Sequence, residues 1–129
     1  MIRVAPWKVE AGGREWTVEP LTVRQRIALV EAIADERAKK AIEDARSAGL
    51  SGSRLVEVAA SAREAVRPSS FLVGQCFTID GAHRILRIAA GDEGADAILT
   101  HKEPAEVAPI ALEAIGIDVS QRGRAEGKD

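Results

Sequence analysis

The sequence predicts a mainly α fold: a small helical domain over residues 1–119 with an N-terminal β-hairpin, and a disordered tail over 120–129. Three observations predict it. Apolar residues recur at three- and four-residue spacing through most of the chain, the period of helices with one buried face. Residues 7–19 instead alternate apolar and polar about Gly12-Gly13, and residues 120–129 contain no large apolar side chain. A chain of 129 residues fits one domain. It can bury roughly two-thirds of its unfolded surface. Trp7, Trp16, Phe71 and Phe77 are the only Trp, Tyr or Phe residues, so Ala, Val, Ile and Leu must fill the core.

Trp7, Val9, Trp16 and Val18 form the apolar set of a half-buried strand pair. Gly12-Gly13 supplies the positive φ that a tight turn needs, so a hairpin is expected over about 7–19. Two strands alone are marginal in water, and this pair should lie against helices. Pro20 stops the second strand. Thr22-Val23-Arg24-Gln25 then fits a capping box: the Thr hydroxyl accepts from a free N–H and Gln reaches back. A helix should run over about 23–47 and end at Gly49. Val23, Ile27, Val30 and Ala34 share one face. Asp35–Lys39 and Glu36–Lys40 are i,i+4 pairs, each contributing ~0.2–0.5 kcal/mol. Beyond Ile33 the only large apolar residue is Ile42. The second half of this helix either projects into solvent or holds an Ala face for another helix.

Ser51-Gly52-Ser53 is a flexible turn with a candidate N-cap. The next helix, about 54–66, carries Leu55, Val58, Ala59, Ala62 and Val66 at amphipathic spacing and ends at Pro68. Residues 69–79 are apolar enough for either a short helix near 70–77 or a buried strand; the lack of a strand partner favours the helix. Asp80 is a candidate N-cap for a helix over about 81–90, built on Ile85, Leu86, Ile88 and Ala89. Gly91 and Gly94 should bracket a loop, followed by one or two turns over 95–100. The last helix, about 105–115, places Val107, Ile110, Ala111 and Ala114 on one side. Pro109 should kink it or delay its start, and Gly116 should end it. No internal repeat and no domain boundary is visible before the tail.

Chemistry is sparse. Eighteen basic and 20 acidic residues give a net charge of −2, with no basic surplus for nucleic acid. Arg122, Arg124 and Lys128 are diluted by Glu126 and Asp129 and read as a solvated tail. Cys76 is the single cysteine, cannot form an internal disulfide, and reads as a small buried hydrophobe. Cys76 with His83 is the only nucleophile–base candidate, and no flanking signature supports it. His83 and His101 are too few for a metal site. Asp92, Glu93 and Asp96 lack calcium-loop spacing. Gly12-Gly13 lies between strands, unlike a phosphate loop. Arg84 and Arg87 mark the wet side of an apolar helix rather than a DNA-reading one. No catalytic residue, cofactor site or metal site is therefore expected, and neither is an enzyme. Residues 1–20 lack the apolar stretch of a signal peptide, and no run approaches the roughly 20 apolar residues of a membrane span. A cytoplasmic protein without membrane or nucleic-acid partners is the expectation.

Glu15-Trp16-Thr17-Val18-Glu19-Pro20-Leu21-Thr22, followed at once by a helix, resembles the opening of the tail assembly chaperones of long-tailed phages and prophages. The stretch from Pro104 to Ile117 resembles their final helix. The resemblance covers about a third of the chain. It implies a non-catalytic, helical, protein-binding chaperone in the bacterial cytoplasm whose partner is the tape measure protein. Members of the family are also made in a longer form by programmed frameshift, and that form recruits the tail tube protein. Glu126-Gly127-Lys128 permits the coding run GAG-GGA-AAG, which holds one slip heptamer used in the family. A structural or connector subunit of a phage-like particle and a small DNA-binding regulator are the alternatives. The partner-binding residues stay open, although the Ala-lined second half of the 23–47 helix offers a docking surface. Self-association is also compatible with the chain.

Overall fold

The computed structural model describes residues 5–117. The expected disordered tail at 120–129 and the Glu126-Gly127-Lys128 run lie outside the described residues. The elements in chain order are β1 (Trp7–Ala11), β2 (Arg14–Val18), α1 (Val23–Ser47), α2 (Ser53–Glu64), α3 (Ser69–Gln75), α4 (Ile79–His101) and α5 (Pro104–Ala114). The fold is mainly helical with an N-terminal two-stranded antiparallel hairpin, as the sequence predicts. Residues 69–79 resolve as the short helix α3 and the link that follows it. The chain divides into two compact units: residues up to Gln25 together with those from Val73 onward, and Arg26–Leu72.

In the first unit, β1 and β2 pair from Trp7↔Val18 to Ala11↔Arg14. The connecting turn is Gly12-Gly13, with φ of 64° and 78°. Two consecutive positive φ values make the turn whose twist matches the strands, and only Gly adopts both without strain. Val9, Ala11 and Val18 are buried, and the Trp16 indole N–H donates to the Ala11 carbonyl at 3.0 Å. Arg14 stacks its guanidinium 4.1 Å from the Trp16 ring centroid. On the other face Lys8 donates to the Thr17 hydroxyl at 2.9 Å.

The strand leaves the hairpin through Glu19-Pro20-Leu21. The Glu19 N–H bonds the Ala89 carbonyl and the Leu21 N–H bonds the Ala114 carbonyl, both at 2.8 Å. In extended chain the N–H groups of alternate residues point the same way, so the donor that Pro20 lacks is the one facing away. Pro20 therefore stiffens the segment without costing either bond. The capping box forms as read: Thr22 N–H to Gln25 Oε1 at 2.8 Å, and Gln25 N–H to Thr22 Oγ1 at 3.0 Å.

α4 departs from the sequence reading. The expected loop from Gly91 to Gly94 is a single-residue break: Gly91 has φ 81° and ψ 168°, and helix continues on both sides. His83 Nε2 lies 3.0 Å from Asp96 Oδ1, thirteen residues further on. A straight helix would separate them along its axis by about 20 Å. The two halves of α4 must therefore fold back at Gly91. Arg87 Nε to Asp92 Oδ1 at 2.9 Å braces the same bend. The cap is also different: Thr78 Oγ1 accepts from Gly81 N–H at 3.0 Å, and Asp80 sits in the first turn, where its charge suits the helix dipole. Of the four apolar residues on which the sequence reading builds this helix, Ile85, Leu86 and Ala89 are buried and Ile88 is 38% exposed.

α4 packs against α5 and both strands. Ala82, Ala89, Ala95, Ala111 and Ala114 are buried there among Ile85, Leu86, Ile98 and Leu112. Gly94 has the Trp16 ring against it: a Cβ built on it would lie 3.4 Å from that ring. α5 starts at Pro104 and runs through Pro109, so Pro109 does not delay its start. Gly116, at φ 95°, ends it, with the Ile117 N–H returning to the Leu112 carbonyl at 2.9 Å. Gly91→Ala is expected to cost about 2 kcal/mol, because this φ/ψ region is open essentially to Gly alone. A lowered urea midpoint checks this; an unchanged midpoint would show that the bend accepts an L side chain.

In the second unit, α1 ends at Gly49 with φ 90°, and the Leu50 N–H bonds the Ala45 carbonyl at 2.9 Å. Its buried positions are Leu29, Ile33, Ala34, Ala38 and Ala45, whereas Val23 and Ile27 are more than half exposed. Ile27, Val30 and Ala34 of the face read from Val23, Ile27, Val30 and Ala34 do line one cavity, but of these four only Ala34 is buried. Ala38 and Ala45 lie in the second half, so that half neither projects freely nor offers an open Ala face for docking. Asp35 pairs with Arg63 of α2 at 2.6 Å rather than with Lys39, and Lys40 meets Asp44 at 3.4 Å. α2 presents the expected face: Leu55, Val58, Ala59 and Ala62 are half-buried and Val66 is buried. Its N-cap is Gly52 with no side-chain bond, so neither serine of the preceding turn caps it. Arg37 stands 4.8 Å from the Phe71 ring centroid.

Candidate partner-binding groove

The link between α3 and α4 turns tightly. The N–H groups of Cys76, Phe77 and Thr78 bond the carbonyls of Val73, Gly74 and Gln75 at 3.1–3.2 Å. Successive side chains therefore diverge. Cys76 is buried, Phe77 is 63% exposed, and Ile79 at the start of α4 is 74% exposed. Beside them opens a cavity of about 740 Å³, within the range of ligand sites. Its other walls are the last turn of α4 with Leu99, Thr100 and Lys102, and α5 with Val107, Ala108 and Leu112. Val107, Ala108 and Leu112 are buried and form its floor.

Two lining residues also shape α5. Pro109 has no N–H to give the Ala105 carbonyl one turn back, and both residues line the groove. Among its lining residues Lys102 is the only charge, and none is a carboxylate or an imidazole. Cys76 and Lys102 are its titratable side chains.

The candidates read from sequence fall elsewhere or do different work. Cys76 lines the groove, but burial pushes its thiol up to about 12, with a backbone hydrogen bond opposing the shift. It stays protonated at neutral pH and is a poor nucleophile. His83, its supposed base, is engaged by Asp96 across the α4 bend. His101 packs by the hairpin turn: a Cβ built on Gly12 would come 2.8 Å from its ring. Asp92 and Asp96 belong to the braces of the bend rather than to a cation site. Arg87 is held by Asp92. Among the described residues no group of three or more His, Cys, Asp or Glu could hold a metal ion. No helix among them is long and apolar enough to cross a membrane.

A second cavity, about 580 Å³, lies in the other unit over Ile27, Val30 and Ala34. Arg26, Glu31, Asp35, Arg63 and Arg67 surround it, and Asp35 with Arg63 closes an ion pair across it. Five charged side chains ring it, so it is less suited to an apolar ligand than the first.

No family model, curated protein or solved structure matches this chain. The groove's own chemistry is then the guide to function. Sequence reasoning missed it, although a signal was present. The run Phe71-Leu72-Val73 with Cys76-Phe77 and Ile79 spreads around a helix rather than along one face. A single covered face cannot bury all of it, and Phe77 and Ile79 are the residues left out.

Proposed function

We propose that this chain is a non-catalytic, protein-binding chaperone that takes an apolar helix face of a partner into the groove between the α3–α4 link and α5. The observation that carries this is the apolar floor with Phe77 and Ile79 exposed at its rim. Large apolar side chains displayed around a concave apolar surface are the usual mark of a recognition site. A groove of this kind covers the apolar stripe of an amphipathic helix that would otherwise aggregate. The resemblance of residues 15–22 to phage tail assembly chaperones supports naming the partner as the tape measure protein, a long helical chain. In that reading a longer, frameshifted form also recruits the tail tube protein. The Glu19-Pro20-Leu21 segment at the centre of the resemblance has a structural task here, the N–H groups of Glu19 and Leu21 bonding carbonyls at the ends of helical stretches in α4 and α5.

Co-expression tests it. The chain should hold a co-expressed phage tape measure protein in the soluble fraction, and Phe77→Asp with Ile79→Asp should abolish that effect while leaving the far-ultraviolet circular dichroism unchanged. Both residues are exposed, so the folded state loses little by the change. Tape measure protein that is equally soluble without the chain, or equally protected by the double variant, would defeat the proposal.

A further inference from the structure

Lys102 is the one charged side chain in the groove wall. It is the C-cap of α4, and its extended backbone, φ −118° and ψ 149°, carries it off the helix. Its side chain is only 22% exposed, and its ammonium lies 4.0 Å from Glu106 Oε2, the outer limit of an ion pair. Glu106 cannot readily close that gap, because its other oxygen caps α5 by accepting the Glu103 N–H at 3.1 Å. A cation is thus sheltered against an apolar wall with weak compensation, an arrangement that favours an added anion.

We infer that the groove selects an amphipathic helix carrying a carboxylate beside its apolar anchors, and that this carboxylate pairs with Lys102. The inference rests on the groove reading above. An occupant as wide as a helix fits better than a small apolar acid. Phe77 and Ile79 line the groove and are 63% and 74% exposed, and a helix about 10 Å across would cover more of their surface than a small molecule held between α4 and α5. A carboxylate three or four positions from an apolar anchor lies on the edge of the same helix face, where it meets the wall rather than the floor. Lys102 is therefore a specificity-determining residue: it distinguishes acidic-edged helices from neutral or basic ones.

The test uses the full chain and three synthetic helical peptides with one Leu/Ala face, differing only in Glu, Gln or Lys at the edge position. Calorimetric titration should show the Glu peptide binding about tenfold more tightly than the Gln peptide, as expected for a charge-assisted bond. The gap should shrink at high salt. K102E should reverse the order in favour of the Lys peptide, and K102Q should make Glu and Gln peptides equal. Equal binding of Glu and Gln peptides by the unaltered chain, with no reordering in K102E, overturns the role of Lys102 and leaves the groove reading standing. Failure of all three peptides overturns both. Binding of dodecanoate in place of every peptide overturns the helix as occupant.

Discussion

Ile85→Ala is expected to lower stability by about 3–4 kcal/mol, while Ile88→Ala on the same helix should cost less than about 1 kcal/mol. Ile85 is fully buried with Leu86 beside it, in the helix that packs on α5 and on both strands. Truncation removes three carbons from that contact, and the loss includes the hole left behind. Nearby buried residues such as Ala82 and Ala89 are too short to swing into the space. The cost should therefore lie in the upper half of the range for such changes. Ile88 is 38% exposed and leaves no enclosed hole. Trp7 and Trp16 belong to the same compact unit, so their fluorescence in urea reports its unfolding. Equal midpoints for the two variants would mean that α4 is rotated from the orientation described.

Gly81→Ala is the second large effect, expected at about 3 kcal/mol. Gly81 is buried in the first turn of α4, and its N–H is the one that Thr78 caps. A Cβ there would collide with the Gln75 carbonyl oxygen and lie 2.6 Å from Thr78 Oγ1 and 2.7 Å from Gln75 Cβ. The carbonyl cannot rotate away, because it already accepts both the Thr78 hydroxyl and the Thr78 N–H. Relief requires moving the α3–α4 link itself, and overpacking against backbone falls at the costly end of such substitutions. The same movement would shift Phe77 and Ile79, so partner binding should weaken along with the urea midpoint. A variant with unchanged midpoint and unchanged binding would show that the link is looser than its hydrogen bonds imply.

Much of the local structure was legible in the residues. The alternation around Gly12-Gly13, the Thr22–Gln25 box, the Gly49 and Gly116 stops and the Leu55–Val66 face all appear where they were read. Each depends on groups within a few residues of one another, so the sequence carries the whole interaction. The buried positions of α1 did not follow from its apolar spacing: Val23 and Ile27 are exposed, and Ala38 and Ala45 are buried. Burial depends on what packs beside a helix, and an Ala-rich helix allows close approach on several sides. The α4 bend was legible as a break at Gly91 but not as a fold-back. Glycine permits many angles, and the one adopted is accompanied by Asp96 meeting His83 and Glu19 meeting the Ala89 carbonyl, contacts between distant positions.

The candidate site divides the same way. The apolar run around Cys76 made its burial expected, and it is buried. The groove exists only because α5 returns beside the α3–α4 link, setting Val107 and Leu112 next to Phe77 and Ile79 some thirty residues earlier. Sequence by itself determined the hairpin, the rough positions of the helices, the Thr22–Gln25 box and the Gly49 and Gly116 stops, since these are local hydrogen-bonding and φ/ψ preferences; the caps of α2 and α4 fell at Gly52 and Thr78 instead of at the residues expected. Only the tertiary structure decided which apolar residues stay exposed and where a cation sits among them, since exposure belongs to the packed surface and not to any segment alone.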